Sequence, residues 1–263
     1  MYKRWIFLSL LTIAATLSAD VEDKFKINIG TMLVTGYETE MLLTPKNLPL
    51  SVRINTEDQL GMESETNVFR LDGYYRFSDT HSIDISYFSV KSEGNKVLSA
   101  DIEWDDKTIG VGTTVSSYFN MDVYKINYGY SFYHNEKVEL VLSAGFHITT
   151  LDLGLEATGV TEGDEKVGIT VPLPTFGFKG EYTVIDKRLF VEYKTDYFFL
   201  KYDDFQGRLI SSALNIEYRF VDNIGVGVGY NSNKIFVAMD DGNKRFEAEN
   251  DLSGVMFYMT YVY

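Results

Sequence analysis

The residues of this chain with most chemical potential are charged side chains spaced two apart inside otherwise apolar runs. The positive ones are Lys26, Arg70, Arg76, Lys125, Lys179, Lys194 and Arg219; the negative ones are Asp72, Asp84, Glu139, Glu181, Glu192, Asp196 and Glu217. In a period-two pattern such residues share one face of a strand, and the apolar residues between them take the other. Seven against seven is close balance in a chain whose 24 Lys and Arg stand against 38 Asp and Glu. An unpaired charge held away from water costs several kcal/mol, so the balance implies pairing between neighbouring strands. Arg70 with Asp72 and Glu217 with Arg219 have the spacing for it. The chemistry expected of this set is an ion-pair lattice filling an interior, or a narrow path for ions between the pairs.

Catalysis has a weaker basis. His81 and His134 fall in short polar turns, where solvated residues are the default. His147 differs, because it shares an inward register with Glu139, Ser143, Gly145 and Thr149. A general base needs a nucleophile within hydrogen-bond reach, and residues two or four apart on one strand rarely meet that way. A hydrogen-bonded interior histidine is therefore the expectation. No GxxxxGK, HExxH, CxxC or GxSxG occurs in a usable context, and the acidic runs around Asp101, Glu162 and Asp240 lack the spacing of a calcium loop, so no cofactor or metal is expected.

The elements that must hold these residues are strands. Aromatics make up 15% of the chain, with 19 Tyr, 18 Phe and 21 Gly against 4 Pro, a mix that favours strands and turns. Alternating runs flank short polar turns at Ser78-Asp79-Thr80-His81, His134-Asn135-Glu136-Lys137, Ile185-Asp186-Lys187-Arg188 and Asp222-Asn223. Longer connections fall at Glu38 to Asn67, Lys91 to Ser116, Asp152 to Gly168 and Asp240 to Asp251, with a shorter one at Tyr202 to Gly207. Short turns at one end and long loops at the other are the plan of an antiparallel up-and-down transmembrane β-barrel, short turns periplasmic and long loops extracellular. The runs predict about ten strands, at 25–37, 66–77, 82–92, 117–133, 138–151, 169–184, 189–202, 208–221, 224–238 and 246–263, with eight as the alternative. Glu38 to Leu43 and Leu50 to Thr56 flank a Pro-rich turn and suit a hairpin rising above the bilayer. Outward faces carry Phe69, Tyr75 and Phe77, Ile83 and Ile85, and Tyr124 to Phe132 at alternate positions.

The two ends of the chain point to the same compartment. Lys3 and Arg4, the apolar Trp5 to Ala15 and the small residues before Asp20 have the layout of a secretory signal peptide, so residues 1–19 are expected to be removed and 20–263 to form one barrel domain. Removal takes the net charge from −14 to 22 − 38 = −16, which argues against nucleic acid as a partner. With no cysteine there is no disulfide framework, so closure of the sheet must supply stability. The final run VMFYMTYVY puts Phe257, Met259, Tyr261 and Tyr263 on one face of a closing strand.

The stretch RINTEDQLGMESETNVFRLDGYYRFSDTHSIDISYFSV, the later VELVLSAGFHITTLDLGL and the ending YMTYVY resemble small Gram-negative outer-membrane β-barrels, a branch of the OmpA/OmpW-like barrels. The resemblance implies an outer-membrane location, contact with outer-membrane lipids and lipopolysaccharide, and insertion by the barrel assembly machinery, which would read the terminal aromatic strand. It carries over no active residues. The function expected is structural, or passage of small solutes through a narrow pore; a lipid-modifying enzyme and a loop-based adhesin are the alternatives.

Overall fold

A computed structural model describes residues 23–45, 52–55, 61, 67–99, 101–104, 107–157, 165–240 and 244–263. The expected signal peptide lies outside the described residues. In chain order the strands are β1 (Phe25–Pro45), β2 (Val52–Asn55), β3 (Asn67–Ser78), β4 (His81–Val97), β5 (Ile102–Trp104), β6 (Lys107–Ile109), β7 (Thr114–His134), β8 (Val138–Ala157), β9 (Glu165–Ile185), β10 (Leu189–Tyr202), β11 (Phe205–Val221), β12 (Ile224–Asp240) and β13 (Lys244–Val262). Ten of them, β1, β3, β4 and β7 to β13, form one closed antiparallel barrel, with β2 paired to the outer part of β1 and β5–β6 a separate hairpin.

All ten sequence runs are strands, and β1 and β2 form the hairpin anticipated around residues 40–55. Most strands are longer than the alternation suggested. β4 continues to Val97, β7 begins at Thr114, β8 reaches Ala157 and β13 begins at Lys244, so much of the expected loop sequence is barrel wall raised above the apolar band. The tight turns behave as their residues require. Asn135 Oδ1 accepts the backbone N–H groups of Lys137 (2.9 Å) and Val138 (2.8 Å), an Asx turn that reverses the chain from β7 to β8. The barrel closes where β1 meets β13 from Lys26↔Val262 to Pro45↔Lys244, and Phe25 and Tyr263 exchange backbone hydrogen bonds of 2.9 Å at its lower rim. Closure satisfies the edges that an open sheet would leave unpaired in lipid.

The decisive feature is an inversion of polarity partway along the strands. On β7, Tyr124, Ile126, Tyr128, Tyr130 and Phe132 face outward and are exposed, while the outward positions above them are Asp122, Asn120 and Tyr118. Inward positions do the reverse: Lys125 and Asn127 lie low, and Val123, Met121, Phe119 and Val115 above them are almost fully buried. β12 repeats the change, with Val226, Val228 and Tyr230 exposed below and Ile235 and Val237 buried inside above. The lower section therefore has an apolar outside and polar inside, as lipid demands, and the upper section has an apolar inside and polar outside, as water demands. On β13 the outward apolar run from Val255 to Tyr263 spans about 23 Å at a typical strand tilt, close to the height of an outer-membrane apolar band.

The lumen as candidate functional site

In the lower lumen the charges are stacked in rows. Glu139, Glu181 and Glu192 are in register on β8, β9 and β10, and one rung higher Lys179 lies opposite Lys194. Like charges are thus cross-strand neighbours, and opposite charges sit two residues apart on one strand, where every side chain still points inward. Arg70 binds Asp72 through two hydrogen bonds of 2.7 and 3.0 Å, Lys194 lies 3.2 Å from Glu192, and Arg219 lies 2.9 Å from Glu217. Other pairs cross the lumen. Lys26 on β1 reaches Glu217 on β11 at 2.7 Å, Arg76 on β3 reaches Glu139 on β8 at 2.8 Å, and Lys125 on β7 reaches Asp196 on β10 at 3.0 Å. Each of these braces joins strands three places apart around the wall. Lys179 adds a 3.4 Å contact to Glu139.

Two of the seven carboxylates have no cation in ion-pair contact among the described residues. Asp84 accepts a hydrogen bond from Ser82 (3.0 Å), and Glu181 stands between Glu139 and Glu192. Sequence reading missed Asp23, which lies just ahead of β1 and meets Arg219 at 2.7 Å with both side chains buried. It also missed the aromatic partners of the cations: Arg219 sits 4.1 Å from the Phe190 ring centre and Lys179 4.9 Å from that of Tyr74. Pairing across a lumen depends on which strands face each other, which no local spacing reveals. His134 is less solvated than a turn residue suggests, its Nδ1 lying 3.7 Å from Glu139. His81 is at the lower outer rim, stacked on Phe77 and Tyr128.

Above the lattice is a small polar chamber of about 70 Å³ lined by Arg70, Asp72, Asp84, Lys125, Lys194 and Asp196 among others. It has room for a few waters and little more. Lys125 also donates to Ser211 (2.6 Å) at its edge. His147 is in register with Lys125 at the level where the polar interior ends. It is 1% exposed, and neither ring nitrogen has a hydrogen-bond partner among the described residues, in contrast to the hydrogen-bonded interior histidine expected from the sequence. Among those residues, no group of His, Cys, Asp and Glu is placed to hold a metal ion.

The upper lumen holds two apolar clusters, and buried polar side chains such as Asn233, Asn250 and Thr39 lie at the same levels. Met32, Val68, Phe88, Val90, Phe119, Met121 and Leu252 belong to a cluster on the β13–β1–β3–β4–β7 side, and Leu173, Phe198, Leu209, Ile235 and Val237 to a second on the β9–β12 side. The charges therefore fill only the lower part of an interior that is finished above by an apolar core. At the lipid face, Phe257, Met259 and Tyr263 are exposed and Tyr261 is half-buried, an outward aromatic and apolar row along the closing strand.

No protein-family model and no curated protein matches the chain. Solved structures do. The outer membrane protease OmpT from Escherichia coli aligns with a TM-score of 0.58 at 12% identity, covering 94% of this chain and 99% of that one. The translocator domain of the autotransporter NalP from Neisseria meningitidis aligns with a TM-score of 0.47 at 9% identity over 97% and 91%. The outer membrane protein OprG from Pseudomonas aeruginosa aligns at 0.37 and 9% identity over 92% and 96%. Identities this low speak to fold alone, and these neighbours include a protease beside proteins of other kinds. Closed topology, an apolar belt and the likeness to the OmpT structure agree: the chain has the fold of a small outer-membrane β-barrel.

Proposed function

We propose that this protein is a non-enzymatic integral outer-membrane barrel with a structural role, its lumen sealed to ions, that carries a packed β-structure above the outer leaflet. The observation supporting this reading is the pair of barriers in series. An ion must pass buried cross-lumen salt bridges and then an apolar layer whose side chains, such as Val68, Met121 and Leu209, have no exposed surface. Moving an ion into such a layer costs far more than thermal energy supplies. A lipid-modifying activity would need a partner for His147, and the buried ring has none among the described residues.

The test is conductance of the refolded protein in planar bilayers. No steps above background are expected at neutral pH; stable discrete openings would overturn the sealed reading in favour of a narrow pore. Location and assembly follow the same proposal. Tyr263→Ser should lower the amount of folded barrel recovered from outer membranes, read as heat-modifiable mobility on gels, and unchanged recovery would count against a role for the terminal aromatic in assembly.

A further inference from the structure

The outer wall carries a patch whose charges are laid out to meet a copy of themselves. On β11, β12 and β13, one row above the apolar belt is Arg208↔Phe236↔Glu249, and the row beneath it, at the top of the belt, is Ile210↔Lys234↔Asp251. All six side chains face outward. In both rows the acid stands on β13 and the cation on a strand before it. Arg208 lies 5.7 Å from the Phe236 ring centre and reaches Glu249 at 3.5 Å, and Lys234 pairs with Asp251. Exposed pairs of this kind add little to the stability of a single copy. Among the described residues, no ion pair joins Arg208 to Asp251.

The tilt of the strands sets where these residues stand. A rung that leaves β1 at Phe25 passes Tyr75, Tyr128, Phe176, Ile210 and Asp251 and returns to β1 at Glu38, 38 − 25 = 13 residues higher. Rungs therefore climb by a little over one residue per strand. Asp251 is two strands on from Arg208 and two residues lower, so the two come level, with Phe236 and Lys234 between them. By the same tilt, a line straight down the wall from Phe236 runs through Ile210 on β11, Thr195 on β10 and Gly180 on β9. Thr195 shares a 3.0 Å hydrogen bond with Ser212 beside it, and Gly180 has no side chain, so the lipid face is low along this line. Tyr197 and Tyr193 stand on either side of it, each about half exposed.

We propose that this face binds a second copy of the chain about a two-fold axis parallel to the membrane normal, running between Phe236 and Lys234. Such an axis brings each Arg208 to the other copy's Asp251 at the same height, and does so twice. Each charge gains a second counter-ion and sheds water. Lower down, the Thr195 to Gly180 line lets the two walls approach closely, the condition under which small and hydroxyl residues favour association in lipid. An apolar wall alone fits lipid or any membrane protein; a cation and an acid level with each other on either side of one axis fit a copy of the same patch. The contact is wholly on the outer wall, so it stands whether or not the lumen conducts.

The absence of cysteine from the chain permits a direct test. Ile210→Cys puts a thiol beside the axis, and Asn120→Cys on β7 puts one on the opposite wall. Treated with bismaleimidoethane in outer membranes, the first is expected to give at least fivefold more linked dimer than the second. Equal linking, or a product whose mass is not twice that of the chain, would overturn the proposal. In the Ile210→Cys background, Arg208→Asp or Asp251→Arg alone should lower the linked dimer at least fivefold, and both in one chain should recover at least half of it. The two residues are not paired within a copy, so recovery can come only from contact between copies; unchanged linking in the single variants, or no recovery in the double, would refute that contact. Should either reversed variant fail to fold by heat-modifiability, Arg208→Gln is expected to lower linking at least threefold, and undiminished linking would again overturn the proposal.

Discussion

Arg70 and Asp72 show what a single pair contributes and how it can be measured. They are two apart on β3, meet through two hydrogen bonds and are largely buried. Arg70→Met alone leaves a carboxylate in the lumen with its closest cation gone and should lower unfolding free energy by about 3–5 kcal/mol. Adding Asp72→Leu should recover most of that loss, because the remaining cost is packing and not charge. Urea titration of the refolded barrel reads both, and additive losses would show that the two residues do not act as a pair. Gly227 makes a different point. A Cβ on it would overlap the ring of Tyr258, which lies flat against β12 on the inner face. Gly227→Ala should destabilise by roughly 1–3 kcal/mol, and Tyr258→Ser in the same chain should relieve part of it. Pairs on one strand were legible from spacing alone, as Arg70 with Asp72 and Glu217 with Arg219 were. Arg76 with Glu139 and Lys26 with Glu217 were not, since they depend on curvature that brings distant strands face to face.

The strands were legible because lipid enforces alternation. Tyr124 to Phe132 could belong only to an outward face, and the turn at Asn135 marks its end. The upward extensions were hidden by the same rule, because above the belt the apolar parity changes. Phe119 and Met121 point inward on the strand that sends Tyr124 and Ile126 outward, so a reader following one parity sees the pattern dissolve near Val123 and assigns a loop. The prolines at 172 and 174 carried a signal that went unused, since Pro within a strand marks an edge or a broken ladder, and the β9–β10 ladder stops at Tyr197↔Phe176. Replacing both with Val should let the ladder continue. Protection of the Phe199 and Lys201 amides against hydrogen exchange should then rise by tenfold or more, and unchanged exchange would mean that something other than the missing N–H groups keeps β9 and β10 apart.

At the scale of the molecule, two barriers made of different material stand in series. Removing one should not open the lumen. Arg76→Ala with Glu139→Ala and Lys179→Ala is expected to stay electrically silent while losing stability, and openings should need Phe119→Ala and Leu209→Ala as well; conductance from the first set alone would place the whole seal in the charged layer. The change of parity between Val123 and Tyr124 has one more consequence, which concerns the surrounding bilayer. It fixes a waterline on the protein. A thicker hydrocarbon layer would submerge Ser89, Asp122, Thr150 and Lys201 on the outer wall, and a thinner one would wet Leu33, Phe69 and Tyr87. The barrel should therefore prefer one membrane thickness, with its unfolding midpoint falling in vesicles of either shorter or longer acyl chains.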